Sequence, residues 1–389
     1  MYEDRRMKVL LITHYSDLYG ANLSLCNVAM ALKKLYKIEV SVLCLAPNGK
    51  EFKEYLKKEA GVDVTFCRFY NTTYPVGNFK GYIKSYVASL INQIKIVKLD
   101  KFMKSNRFDL IHTNTMATMV GAQLAKRYKI PHIWHIREFL EEDYASSQIN
   151  NFIFKRSLDY TSVYIAISNA VKNKYIGLLD KDKVKVIYNG IPKLHRKNKV
   201  HLGKTIFCIV GVIRREKGIL EAIQAFAGLD HQKYKECELW IIGGGMDQEN
   251  EYISEIKSVV KKIDLGKKIK FLGYRNDVLE LLDQVDVGLV CSKLEAFGRV
   301  TIEYMMKEIY VIGANSGGTA ELIEDGKTGS LYEAGNYRDL KDKMIEYLDK
   351  KINTEEVISR AKEFSDKFTI QNCVANIYSV YEDIMNERN

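Results

Sequence analysis

Proline is scarce in this chain, at 4 of 389 residues, which argues against long disordered linkers. The seven cysteines (Cys26, Cys44, Cys67, Cys208, Cys237, Cys291 and Cys373) are odd in number and show no C-x-x-C spacing. Most sit inside apolar runs, so they read as small buried hydrophobes of a reducing compartment rather than metal or redox groups. Long apolar runs are missing too. The longest, near Ile206 to Ile213, falls far short of the roughly 20 residues a spanning helix needs, and an integral membrane protein is not expected. The start, MYEDRRMKVLLITHYSD, has cations before an apolar stretch, but that stretch covers only Val9 to Ile12 and no small-residue cleavage site follows. It reads as a buried first strand, not a signal peptide. There is no G-x-G-x-x-G, and the triplet Gly243 to Gly245 opens no pattern of that kind, which disfavours a nicotinamide-dinucleotide site.

What is present is an ordinary globular composition, 47% hydrophobic and 28% charged, with a formal net charge of +10. At 389 residues, two domains are the natural expectation. The charge bears on partners rather than fold: nucleic acid, anionic lipid or phosphorylated small molecules. Much of it gathers between Lys80 and Arg107, where Lys84, Lys95, Lys98, Lys101 and Lys104 also stand against the single acid Asp100. Apolar residues recur there near helical spacing. One reading is a solvated helix with its apolar face on the core. The other is a basic amphipathic surface that docks on anionic lipid head groups. No RNA-binding motif accompanies the basic excess, and nucleic acid is not the expected partner.

Short apolar runs of strand length alternate with helical patterns. KVLLIT (8–13), IEVSVLCL (38–45), VDVTFCRF (62–69), DLIHTN (109–114), HIWHI (132–136) and VYIAIS (163–168) form a first series. A basic stretch with Asn-Gly and a proline interrupts the rhythm over 183–204. TIFCIVGVI (205–213), CELWIIGGG (237–245), KIKFLGY (268–274), VDVGLVCS (285–292), IYVIGAN (309–315) and TGSLYE (328–333) form a second. Near-continuous apolar strands separated by helices predict α/β architecture with parallel sheets covered on both faces. The expected organisation is two Rossmann-like, doubly wound domains facing across a cleft. Residues 1–190 would form the first, 191–204 a linker and 205–368 the second, with a C-terminal helix over 369–389 crossing back to the first.

Such sheets bind ligands beyond the C-terminal ends of their strands. In THYSDLYGANLS, Gly20 precedes a helix whose first N–H groups favour an anion; the plainer reading is a turn that needs glycine. In GVIRREKG, Arg214, Arg215 and Lys217 crowd a strand-to-helix turn in a manner suited to a diphosphate, or to a merely solvated turn. SKLEAFGRVTIE is more specific. Glu295 lies in the loop leaving a buried strand, and Gly298 opens a helix that carries Glu303 in its early turns. Backbone N–H groups around Phe297 to Arg299 would cradle an anion, and a carboxylate suits a ribose or sugar hydroxyl pair. In the plainer alternative Glu303 pairs with a neighbouring cation and Glu295 is exposed.

In their order, YGANLSL, HIWHIREF, YIAISNAVK, VIYNGI, GVIRREKG, FLGYRNDV, VDVGLVCSKLEAFGRVTIEYM and ANSGGTAELIEDGKTGSLY span nearly the whole chain. Together they resemble a retaining glycosyltransferase of the GT-B fold, similar to glycosyltransferase family 4. The resemblance implies that Glu303 holds the donor ribose and that Arg214 and Lys217 neutralise its diphosphate. Glu295, with the backbone at Phe297 and Gly298, would address the transferred sugar. Gly273, Tyr274 and Arg275 would border the base. Gly20, Ala21 and Asn22 would approach the diphosphate, and His135 would sit near sugar and acceptor. The chain departs from many relatives at Val212, where they carry arginine, which leaves open whether Arg214 or Arg215 replaces it.

The expected chemistry is transfer of a hexose-type sugar from a UDP or GDP sugar, with retention, to a glycan or lipid-linked saccharide in bacterial surface polysaccharide assembly. Cations and helix-end N–H groups would stabilise the leaving diphosphate. No cofactor and no metal is expected, since no D-x-D with a metal role stands out. The expected location is cytoplasmic, peripheral on the inner membrane face. The rivals are a nucleotide-sugar epimerase of the same architecture, which would turn over donor without acceptor, and a non-catalytic sugar-nucleotide or membrane-surface binding protein.

Overall fold

The computed structural model describes residues 6–18, 20–197, 202–246, 250–263 and 265–388. The first residues of the N-terminal stretch, Tyr19 of YGANLSL and residues 198–201 of the expected linker lie outside them. The chain divides into two compact units, one running to Pro192 and resuming at Thr369, the other Lys193–Phe368.

The first unit contains β1 (Lys8–Thr13), β2 (Glu39–Cys44), β3 (Asp63–Phe66), β4 (Thr73–Pro75), β5 (Leu110–Thr113), β6 (His132–Ile136), β7 (Ser146–Gln148), β8 (Val163–Ala166) and β9 (Val184–Val186). Seven of these form one parallel sheet in the order β3-β2-β1-β5-β6-β8-β9. Side chains alternate across a strand, so β1 feeds two cores. Val9 and Leu11 join Leu25 and Leu32 on one face, while Leu10 and Ile12 join Ile111 and Leu124 on the other. Because both faces are covered, the central strands β1, β5, β6 and β8 are buried nearly throughout rather than alternately. The C-terminal helix Ile370–Asn386 packs on the first of these faces through Val374, Ile377, Val380, Tyr381 and Ile384, at helical spacing. Its entry is pinned where Ile370 N donates to Ile191 O at 3.0 Å. There a side chain on Gly190 would stand 2.6 Å from Ile370 Cα.

The small antiparallel pair β4–β7 supports the helix Phe79–Lys95 in an unexpected orientation. Its buried residues are Ser85, Ser89 and Asn92, while Phe79, Ile83, Val87, Leu90 and Ile94 are exposed. The expectation of an apolar face on the core holds beyond this helix, where Ile96, Leu99 and Met103 are core residues, but is overturned within it for a local reason. Ser85 Oγ donates to Thr73 O at 2.9 Å, and Asn92 clamps both backbone groups of Tyr70 at 2.9 and 2.8 Å. Ser89 Oγ accepts from Asn151 Nδ2 at 2.9 Å. The inward face is polar because the backbone it meets needs partners.

The second unit holds β10 (Thr205–Val210), β11 (Cys237–Ile242), β12 (Ile269–Gly273), β13 (Val287–Val290), β14 (Tyr310–Ala314) and β15 (Ser330–Tyr332). They form a parallel sheet in the order β12-β11-β10-β13-β14-β15. The helix Arg299–Met306 lies against it through buried Tyr304, whose hydroxyl donates to Cys208 O at 3.1 Å. The ring sits over Gly288, where an added Cβ would meet Tyr304 Cδ2 at 2.2 Å. Gly288→Ala is expected to destabilise the second unit by about 1–3 kcal/mol and to displace the helix that carries Glu303. Calorimetry of the variant checks this, and an unchanged transition would refute the packing role.

Candidate active site

In the second sheet β10 runs on to β11 on one side and has β13 as its neighbour on the other. The crevice between the loops leaving β10 and β13 is therefore the switch point where open α/β sheets bind ligands. Glycine makes that crevice possible. Gly218 has φ +66°, and a Cβ there would lie 2.1 Å from Cys291 O. The loops are further stitched where Lys293 N donates to Glu216 O at 3.1 Å.

This closeness brings Lys217 Nζ to Glu295 Oε1 at 2.5 Å, and Ser292 Oγ donates to the same oxygen at 2.6 Å. Glu295 is thus a held carboxylate, not the exposed one of the plainer reading. Its backbone is tied as well: Gly318 N donates to Glu295 O at 2.7 Å. A Cβ on Gly317 (φ +51°) would meet that carbonyl at 2.6 Å. Gly298, in the left-handed region at φ 84°, opens the helix Arg299–Met306 without a side-chain cap. Two fully buried hydroxyls, Thr301 Oγ1 and Thr319 Oγ1, flank it and have no hydrogen-bond partner among the described residues. A helix start without a side-chain cap leaves its first N–H groups available to an anion. Phe297 is buried at this start. Glu303 accepts from Arg299 Nε through Oε1 at 2.7 Å, one helical turn apart, and Oε2 has no partner among the described residues.

The remaining expected residues separate. Arg215 turns away, paired with Glu255 at 2.9 Å and stacked over Tyr252 at 4.8 Å. Arg214 is exposed and has no ion-pair partner among the described residues. At the ends of the adjacent strands, Gly243 N donates to Gly273 O at 2.9 Å. Tyr274 is exposed there, while Arg275 forms a fork with Asp277.

In the first unit the corresponding switch lies between β1 and β5. Gly20 and Ala21 present backbone at the start of the helix Gly20–Tyr36. Asn22 does something else: its fully buried side chain accepts from Thr13 Oγ1 at 2.6 Å and donates to Tyr15 O and Asp17 O. It shapes the loop and presents no side chain to a ligand. His135 also departs from expectation, being fully buried inside β6.

The hydrogen bonds around His135 fix its tautomer. Arg137 can only donate, and its Nη2 lies 3.4 Å from His135 Nδ1, so that nitrogen accepts. His112 Nε2, 3.0 Å from the same atom, must then carry its proton, and His112 Nδ1 accepts from Tyr381 at 2.6 Å. The proton of His135 is on Nε2, which has no partner among the described residues. Burial, then the Arg137 charge, holds both histidines neutral, far below the usual histidine range.

Sequence reasoning missed the two residues that follow. Arg137 is buried, pulled down to about 10 by desolvation, and is held by the neutral oxygens of Asn114 and Asn189, each at 2.5 Å. Glu138 accepts from Thr115 and from the backbone N–H groups of Met116 and Arg137, and burial raises its pKa. Their signal was position: both directly follow the C-terminal end of a buried strand. Glu138 also lines a cavity of about 300 Å3 with His14, Tyr15, Thr73 and Tyr144.

Residues 19–193 match the model of Glycosyltransferase Family 4, and residues 190–364 that of the glycosyl transferases group 1. An uncharacterized glycosyltransferase of Methanocaldococcus jannaschii, MJ1178, is 30% identical over 304 residues, covering 77% of this chain and 81% of that one. The N-acetyl-alpha-D-glucosaminyl L-malate synthase of Bacillus anthracis is 26% identical over 251 residues, 61% of this chain and 64% of its own. Among solved structures, Anabaena HepE in complex with UDP superposes with a TM-score of 0.78 at 22% identity, over 97% of this chain and 100% of its own. The same protein has been solved with UDP-glucose. The fold is that of the GT-B enzymes, and the chain belongs to the glycosyltransferases of the family 4 and group 1 type.

Proposed function

We propose that this glycosyltransferase takes a hexose-type sugar from a UDP or GDP sugar and transfers it, with retention and without a metal, to a saccharide acceptor. The observation that carries the reading is the Lys217–Glu295 pair at the β10/β13 switch, beside the uncapped helix start at Gly298. A diphosphate arriving there meets Lys217, Arg214 and the first N–H groups of the helix. These donors stabilise the charge that develops as the sugar–oxygen bond breaks and the diphosphate leaves. Lys217 then exchanges its partner Glu295 for phosphate, and the released carboxylate can accept from hydroxyls of the transferred sugar. Glu303 Oε2 would accept from the ribose while Arg299 holds Oε1. The UDP and UDP-glucose bound by HepE support a nucleotide sugar as donor.

On the acceptor side, the cavity lined by Glu138, His14 and Tyr15 is the proposed saccharide pocket. In this reading His135 acts as a positioning residue. It orients Arg137, whose buried guanidinium is held by the neutral oxygens of Asn114 and Asn189. The acceptor would be a lipid-linked or glycan saccharide of a bacterial surface polymer.

A thermal-shift screen of nucleotide sugars should give one stabilising donor, because a bound ligand raises folded-state stability by mass action. Lys217→Ala and Glu303→Ala should each weaken that donor's binding by about 10- to 100-fold, the worth of a charged hydrogen bond. Unchanged affinity in both would sink the site. NMR of the product should show the donor's anomeric configuration, and EDTA should leave the rate intact. Inversion, or activity restored only by a divalent ion, would overturn those parts of the reading. Donor consumption with no acceptor present would favour the epimerase.

Acid should weaken the fold. His14 and His132 are pushed down by burial to about 4 and about 3, and His112 and His135 also lie well below the usual range. Below about pH 6.5 the unfolded chain protonates these histidines while the folded chain does not. Each therefore contributes stability that is complete above pH 6.5 and falls by about 1.4 kcal/mol per pH unit below it, until its folded pKa is reached. Glu138, with its raised pKa, opposes this in part. Urea unfolding should show stability rising from pH 5 to 7 and levelling above; a flat profile would mean the histidines are charged when folded.

A further inference from the structure

We infer that the helix Phe79–Lys95 is an interfacial helix that seats this protein on an anionic lipid bilayer. Phe79, Ile83, Val87, Leu90 and Ile94 recur at three- or four-residue intervals and so share one stripe. All five are exposed, Phe79 by 73% and Ile94 by 75%. The opposite face, with Ser85, Ser89 and Asn92, is fastened to the protein by the hydrogen bonds described above. Rotation to bury the stripe would break those bonds, so the apolar side is held outward. An exposed stripe on a folded helix marks an interaction surface rather than a stray hydrophobe.

Charge identifies the occupant. Lys80 and Lys84 lie along one edge of the stripe. Lys98, Lys101 and Lys104 follow beyond the helix end and are exposed, with Val97, also exposed, among them. Along the other edge, Gln93 shares a cavity of about 450 Å3 with Lys126 and Arg156, and with Arg127, which is paired with Asp100. A second copy of the chain would set these cations against their own kind. An anionic bilayer complements them, and its acyl boundary accepts the stripe. The helix also adjoins the proposed acceptor pocket: Thr73 of β4 bonds Ser85 through its carbonyl and lines the cavity that holds Glu138. A bilayer under the helix would lie beside that pocket, which suits a lipid-linked acceptor. This last point rests on the proposed function; the docking itself does not.

Flotation of the full chain with phosphatidylcholine vesicles, with and without phosphatidylglycerol, tests the inference. No donor or acceptor is needed, so docking and sugar transfer can fail separately. Binding should require phosphatidylglycerol and weaken as salt is added. Ile83→Asn with Ile94→Asn should reduce partitioning at least tenfold, and Lys80→Gln with Lys84→Gln by about fivefold per lysine. Both pairs are exposed, and unchanged melting temperatures would confirm folding. The inference is overturned by no binding at low salt, by equal binding of wild type and the isoleucine variant, or by a lipid-free oligomer that the isoleucine variant dissolves while vesicles bind neither protein.

Discussion

Close backbone approach at the β10/β13 switch governs the rest of the second unit. Gly218 admits the carbonyl of Cys291, and Gly317 and Gly318 admit the backbone of Glu295 to Phe297, at distances where any Cβ would collide. No attractive side-chain contact achieves this; the absence of side chains does. Once the loops touch, Lys217 and Glu295 meet in an ion pair, and Gly298 can start a helix with its N–H groups directed at the same space. The small residues are therefore the framework, and the charged ones are cargo placed by it.

The first unit solves a different problem, a buried cation. Arg137 has neutral oxygens of Asn114 and Asn189 as partners, and a chain from Tyr381 through His112 to His135 completes its surroundings. Low dielectric makes each of these hydrogen bonds strong and each missing one costly. Neutral histidines are the consistent answer, since further positive charge beside Arg137 would go uncompensated. The C-terminal helix supplies Tyr381, so the last elements of the chain take part in organising residues that lie before its middle.

The helix Phe79–Lys95 shows how local polarity and burial can part company. Periodicity located the helix and its two faces, and lysine enrichment pointed to a charged neighbour. The rotation of the helix about its axis was settled by unpaired backbone groups at Tyr70 and Thr73, which drew serine and asparagine inward. An apolar stripe was left facing out, at the edge of the small β4–β7 sheet.

Much of the architecture was legible in the chain. KVLLIT and HIWHI are strands over the expected residues, both large sheets are parallel, and Gly20 and Gly298 stand where helices begin. These features depend on local sterics and on apolar runs that need cover on both faces, which neighbouring residues suffice to express. That Lys217 and Glu295 stand in loops leaving strands, and Glu303 in the early turns of a helix, was legible for a similar reason. Which of Arg214 and Arg215 remains free was not legible, since Glu255 and Tyr252, which capture Arg215, are some forty residues away. Nor was the inward turn of Asn22, the burial of His135, Arg137 and Glu138, or the orphan hydroxyls of Thr301 and Thr319. Sequence determined the elements and their ends; tertiary structure alone decided each polar group's partner, because partners far apart in the chain become neighbours only once the sheets have formed.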